Sequence, residues 1–278
     1  MLPNWTDHSR TEILRGVDAA QEDLADFHVE IILKECQTDI PEEVVELLDE
    51  LLDEKVMGIA LCAIAHPKIE SYISSLTDRG IPVITLNSDI PNSKRLCFIG
   101  QDNIKSGRIA AELLGKCIPR SGKILASIGN FEFDGHRMRL SGFQNRMDEM
   151  GFQKEQIEII ETFNDYQTTF RKVKEALERT PEICGIYMTN QSVAGCAEAV
   201  ESLKKKSDLK IICHDMSEST RRLLLNEQID FTISQDIFRQ GYLPLIYLWD
   251  YLQKGKIPTV KTVNTNINII CSQNVDNK

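Results

Sequence analysis

Residues 81–116 read IPVITLNSDIPNSKRLCFIGQDNIKSGRIAAELLGK, and the order of apolar and polar residues within them decides the fold. Two apolar runs, IPVITL and LCFIG, lack the polar alternation of a half-exposed strand, as expected of parallel strands covered on both faces. Each ends on short polar residues: Asn87, Ser88 and Asp89 after the first, Asp102 and Asn103 after the second. A stretch with helical spacing follows over 104–117. The same exit recurs down the chain, where ICGIYMT leads to Asn190, LKIIC to His214 and Asp215, and DFTIS to Gln235. Ligands of open α/β sheets bind just beyond the carboxyl ends of their strands. Amides and carboxylates repeated at those ends suit a small molecule rich in hydroxyl groups.

Outward from this stretch, strands and helices alternate almost throughout. On the amino-terminal side the pattern predicts a helix over 11–24 and strand VEIILKEC. A helix opened by Pro41, strand VMGIALC and a helix over 67–77 follow. After a turn at residues 119–122 the alternation restarts with KILASIG, a helix over 135–150, QIEIIETF and a helix over 166–178. Helices over 192–204 and 217–226 follow the next two strands. A long helix reaches about residue 252, and a last strand lies within VNTNINIIC. Such alternation means βαβ units, with helices on both faces of parallel sheets. Two runs separated by a turn predict two similar lobes with a ligand cleft between them. The opening MLPN reads as the tail of a strand, so a segment is expected upstream.

Composition narrows the function. The chain has 278 residues and a formal charge of -10, which opposes direct nucleic-acid binding. Its one basic run, Lys204, Lys205 and Lys206, reads as a solvated helix end. Eight cysteines occur without CxxC spacing or paired histidines, so neither a metal site nor any other cofactor is expected. Scattered cysteines within apolar segments suit a reducing compartment, and the cytoplasm is the expected location. No apolar stretch approaches the roughly 20 residues of a membrane-spanning helix. Neither a Gly-x-Gly-x-x-Gly nor a Walker loop is present, nor a Gly-x-Ser-x-Gly elbow. Glu132 and Asp134 form no recognisable glycosidase pair, and His8, His28, His66, His136 and His214 stand apart in sequence. A binding protein, not an enzyme, is the expectation.

Two stretches bear on the ligand. GHRMRLSGFQNRM puts Arg137 and Arg139 near the start of a helix, where one guanidinium can offer its fork of donors to vicinal hydroxyls. TISQDIFRQGY puts Gln235 and Asp236 where a strand hands over to a helix, a place that also favours a simple cap. These two stretches, the 81–116 segment, MTNQSVAG and CHDMSEST together resemble the type I periplasmic-binding-protein fold. Within it they are most similar to the sugar-responsive LacI-type transcription-regulator branch.

The resemblance implies two Rossmann-like lobes joined by three hinge strands and closing on a sugar-like effector. The lobes would span 1–101 with 236–257 and 102–235 with 258–278. It also implies a homodimer that reaches DNA only through a helix-turn-helix domain preceding this chain, with no membrane partner. An extracytoplasmic sugar-binding protein of a transporter or sensor is the alternative. Carried over by position, the implied contacts are Asn103, Arg137, Asn190, Asp215 and Gln235. Tyr166 would pack on a sugar face, and either Asn87 or Asp89 would serve from the first lobe. The first helix departs from the family. Ser9 and Arg10 stand where aromatics are usual and Trp5 lies upstream, so Arg10 is a candidate partner for an acidic or phosphorylated sugar.

Overall fold

A computed structural model of the chain describes residues 1–4, 8–37, 39–131, 134–190 and 192–275. Trp5 and Glu132 therefore lie outside the described residues. The elements run β1 (Leu2–Pro3), α1 (His8–Leu24), β2 (Glu35–Cys36), α2 (Pro41–Asp53), β3 (Ile59–Leu61), α3 (Pro67–Asp78), β4 (Val83–Leu86) and β5 (Cys97–Gly100). They continue through α4 (Asn103–Cys117), β6 (Lys123–Ile128), α5 (Asp134–Glu149), β7 (Ile157–Glu161), α6 (Tyr166–Arg179), β8 (Ile183–Met188) and α7 (Val193–Ser202). The last are β9 (Lys210–His214), α8 (Glu218–Leu225), β10 (Phe231–Ser234), α9 (Ile237–Lys254), β11 (Thr262–Asn264) and β12 (Asn268–Ile270).

The chain divides into two compact units, one of Met1–Gln101 with Asp236–Asn266 and one of Asp102–Gln235 with Ile267–Lys278. Residues 258–266, expected in the second lobe, belong to the first because β11 pairs in parallel with β5, Val263 opposite Ile99. The single last strand expected in VNTNINIIC is accordingly two, and β12 pairs antiparallel with β10 in the other unit.

In the first unit a parallel sheet runs in the order β11-β5-β4-β3, and a short parallel pair joins β1 to β2. The tail MLPN thus enters a sheet, with the Met1 carbonyl accepting from Cys62 N at 3.1 Å just past β3. VEIILKEC is strand only at Glu35–Cys36. Upstream of it the Gln21 side chain donates to Val29 O and accepts from Ile31 N, 2.7 and 3.1 Å, taking backbone groups that a ladder would use. Val44, Leu48, Leu61, Ile69, Ile73, Leu76 and Val83 pack into one fully buried cluster beneath α2 and α3.

The second unit holds a six-stranded sheet in the order β12-β10-β9-β8-β6-β7, parallel except at β12. Its first strand, β6, lies between β7 and β8. The strand order therefore reverses there, and the crevice outside such a switch point is where ligands of these sheets bind. One buried cluster, including Val173, Leu177, Ile186, Val200 and Ile211, covers one face. The other face carries Leu114, Ile124, Phe143, Met147 and Tyr187, with the Phe143 and Tyr187 rings stacked at 4.3 Å.

Glycine sets the closest helix contacts. A β-carbon at Gly107 on α4 would strike the Arg139 carbonyl, and one at Gly142 on α5 would strike the Ile104 carbonyl. The α4–α5 contact therefore depends on glycine on both sides. In the first unit, Gly16 against Phe238 and Gly241 against Ile13 do the same for α1 and α9. Among the described residues no helix is long and apolar enough to cross a membrane. All eight cysteines are free, and burial pushes the Cys62 and Cys213 thiols up to about 12, as for small hydrophobic residues.

Candidate functional site

The strand exits of the second unit converge on one arginine, and it is Arg139. Helix α5 buries Arg139, Leu140, Gly142, Phe143 and Met147 on its inner side. Arg139 Nη1 donates to Thr189 O at 3.1 Å past β8, and Nε donates to Asn103 Oδ1 at 3.2 Å in the first turn of α4. Nη1 also lies 3.8 Å from Asp215 Oδ2 past β9, with Arg139 and Asp215 side chains only 6% and 15% exposed. Asp215 Oδ1 accepts from Gln235 Nε2 at 2.7 Å past β10. Asn103, Arg139, Thr189, Asp215 and Gln235 are thus one set, joined by hydrogen bonds and by the Arg139–Asp215 ion pair, from two helix starts and three strand exits.

Arg137, the arginine expected here, is exposed and pairs with Asp134 one turn back on its own helix. Helix phase is the reason. Two positions apart on an α-helix differ by about 200° around the axis, so only one of the two faces α4.

Asn190 is 1% exposed. Its Nδ2 donates to Asn164 Oδ1 at 2.7 Å and to Thr162 Oγ1 at 3.3 Å, both past β7. Four buried polar atoms nearby have no partner among the described residues: Thr189 Oγ1, Asn190 Oδ1, Ser192 Oγ and His214 Nδ1. Buried polar groups in native structures are almost always paired, so this concentration marks where an outside molecule can bond. His214 contacts the Tyr187 hydroxyl through Nε2 at 2.8 Å, and burial, then the Arg139 charge, holds it well below the usual histidine range. His136 Nδ1 accepts from Asn130 N at 3.3 Å, and burial with Arg139 beside it brings its pKa down to about 4. Both imidazoles are neutral at pH 7.

The remaining expected residues divide. Tyr166 begins α6 and is 39% exposed. Asn87, in the first unit, sits in a left-handed conformation at φ 61° and donates through Nδ2 to Gln240 Oε1 at 3.0 Å. Asp89 is a structural carboxylate, with both oxygens engaged by the buried Arg95 fork, Nε–Oδ1 2.5 Å and Nη2–Oδ2 2.6 Å. Oδ1 further accepts from Thr85 Oγ1 and Ile90 N. That leaves Asn87 as the candidate of the two. Arg10 spends its fork on Glu35, Nε–Oε1 2.8 Å and Nη2–Oε2 3.1 Å, so its charge is already matched. Asp102 and Asp236 are helix caps, accepting from Lys105 N at 2.9 Å and Arg239 N at 3.4 Å.

A hollow of about 400 Å³ lies elsewhere in the second unit, by the amino ends of β9 and β10, lined by Lys206, Lys210, Glu227 and Asp230. Its ammonium groups are matched by Asp230 at 2.7 and 3.3 Å, so the strand-exit cluster carries the unmet polar chemistry. Among the described residues no group of three or more His, Cys, Asp or Glu could hold a metal ion.

Residues 1–257 match the family model described as a periplasmic binding protein domain. The chain is 23% identical to the ribose import binding protein RbsB of Bacillus subtilis (strain 168) over 244 residues, 87% of this chain and 77% of that protein. It is 23% identical to the HTH-type transcriptional regulator GntR of Escherichia coli (strain K12) over 197 residues, 70% of this chain but 55% of the regulator. The solved structure of AraP, an arabinose binding protein from Geobacillus stearothermophilus, superposes with a TM-score of 0.84 at 26% identity, covering 100% of this chain and 97% of AraP.

Proposed function

Because the chain belongs to the periplasmic binding protein domain family, we propose that it binds an uncharged sugar at the strand-exit cluster of its second unit. One observation carries the reading: a buried Arg139–Asp215 pair, set among polar atoms of Thr189, Asn190, Ser192 and His214 that have no partner among the described residues. A charge-neutral set of amides, hydroxyls and one ion pair gives directional hydrogen bonds to hydroxyl groups. It has no surplus charge for a phosphate or carboxylate, which requires a cationic partner left over. Arg10, the candidate for such an anion, is neutralised by Glu35. Arg139 donates to the sugar's oxygens, while Asp215 and Asn190 accept from its hydroxyls. Asn103 and Gln235 hold Arg139 and Asp215 in place, and Tyr166 offers its face to the ring.

Two of the relatives are named for ribose import and arabinose binding, and that favours a solute-binding protein serving a transporter or sensor. A second reading is the effector-binding domain of a LacI-type regulator, cytoplasmic, homodimeric and joined to a helix-turn-helix segment. Eight unpaired cysteines support it, since free thiols persist in reducing compartments. Fractionation of cells that make the native protein separates these: recovery outside the cytoplasmic membrane removes the regulator reading, and recovery in the cytoplasm removes the transporter reading.

The ligand assignment is tested by melting the protein with D-ribose, L-arabinose, D-xylose, D-galactose and D-glucose, each beside its acid or phosphate. A ligand that binds only the native state raises stability by about 2.7 kcal/mol at 100 times its Kd. At least one neutral sugar is expected to raise the melting temperature by more than its charged counterpart. A response confined to acids or phosphates would overturn the neutral-ligand assignment.

A further inference from the structure

Asn164 stands beside the cluster in an unusual backbone. Phe163 and Asn164 both take positive φ, 54° and 55°. Asn visits that region readily and a bulky aromatic does not, so the turn is held by its surroundings. Phe163 N donates to Gly129 O at 2.6 Å, and Asp165 N donates to Thr162 O at 2.9 Å. The turn brings Asn164 Oδ1 to 2.7 Å from Asn190 Nδ2. The second amide contact reaches Thr162 Oγ1 at 3.3 Å, and that hydroxyl sends its own proton to Ile128 O at 3.3 Å. Thr162 Oγ1 also lies 3.3 Å from Ser127 Oγ, so its one proton has two other acceptors and Asn190 Nδ2 donates to it. With Nδ2 spent, Asn190 Oδ1 is left buried and without a partner among the described residues. Gly129 belongs to the same device, because a β-carbon there would collide with Asn164 Oδ1 and lie 2.7 Å from His136 Cε1.

We infer that Asn164 is a positioning residue for specificity: it locks Asn190 as a hydrogen-bond acceptor, so the ligand must present a hydroxyl proton at that point. The inference rests on the strand-exit cluster being the sugar site. It specifies a donor requirement there, which an analogue carrying fluorine or hydrogen in place of that hydroxyl cannot meet.

The test uses Asn164→Gly, which suits the positive φ but removes the amide, and Asn164→Asp, which keeps an acceptor for Asn190 Nδ2. Gly129→Ala is the second route, displacing the Asn164 amide without replacing it. Titration calorimetry compares the parent and variants with the five neutral sugars and with their monodeoxy and monofluoro analogues. In the parent, replacing one particular hydroxyl is expected to weaken binding about tenfold, the size of one hydrogen bond with a buried partner. Asn164→Asp retains that penalty. Asn164→Gly and Gly129→Ala reduce it to about threefold or less for the monofluoro analogue, because the freed amide can turn Nδ2 toward the fluorine. An undiminished penalty in Asn164→Gly and Gly129→Ala overturns the positioning role and leaves the sugar site standing. Absence of binding of any of the sugars by the parent overturns both.

Discussion

Arg137 and Arg139 differ by two positions, and the chemistry open to a ligand depends on which one faces inward. The sequence points to Arg137 at this helix start, whereas the arginine buried against α4 is Arg139. A signal was available in the helix phase: Leu140, Phe143 and Met147 mark the buried stripe, and Arg139 precedes Phe143 by four residues, so the two share a face. The Asp89–Arg95 fork had no comparable signal, because an ion pair across an irregular loop follows no period. Nor did the amide contact between Asn164 and Asn190, which depends on two consecutive left-handed residues. His214 looked isolated in sequence because its partners Tyr187 and Arg139 come from other elements.

His136 supplies a prediction of its own. Its pKa is about 4 in the folded chain against 6.5 unfolded, so the folded state favours the neutral ring. Stability from this group is complete above pH 6.5 and is lost as pH falls from there toward 4, by about 3 kcal/mol in all. The lowered His214 adds in the same direction. Urea unfolding at pH 7 and pH 5 should show the loss, and His136→Asn, which can still accept from Asn130 N, should reduce it. An equal loss in parent and variant would remove His136 as its source.

Among the elements, the α/β alternation, the order of the units and the polar strand exits were all legible, since apolar runs and helical spacing report burial directly. The structure differs from the sequence pattern where backbone bonding departs from it. Residues 29–34 have the apolar content of a strand, but Gln21 ties down Val29 and Ile31 instead. Residues 258–266 went to the wrong lobe because only the pairing of β11 with β5 assigns them. The α4–α5 contact is the element on which the site depends most, for α5 carries Arg139 and α4 carries Asn103. Gly107→Ala pushes a methyl group against the Arg139 carbonyl, so it is expected to cost about 1–3 kcal/mol in stability. The same shift moves the guanidinium and weakens sugar binding. Denaturant unfolding and calorimetry measure the two effects. Wild-type stability in Gly107→Ala would show that the helices can separate at no cost.

Across the whole molecule, two units with separate cores share a chain that passes between them three times, after Gln101, Gln235 and Asn266. The second unit holds the polar set whose bonds are incomplete, and the charges along the strand exits are matched internally, Arg139 by Asp215, Arg95 by Asp89 and Arg10 by Glu35. A neutral, hydroxyl-rich ligand is what such a set can satisfy without stranding a buried charge. The most direct test is titration calorimetry of the parent, Arg137→Ala and Arg139→Lys with the neutral sugar that stabilises the parent most. Lysine keeps the charge but not the planar fork that reaches Asn103 and Thr189 together. Arg137→Ala is predicted to bind within about twofold of the parent, and Arg139→Lys at least about tenfold more weakly. Parent-like affinity in Arg139→Lys, or its loss in Arg137→Ala, would contradict the site.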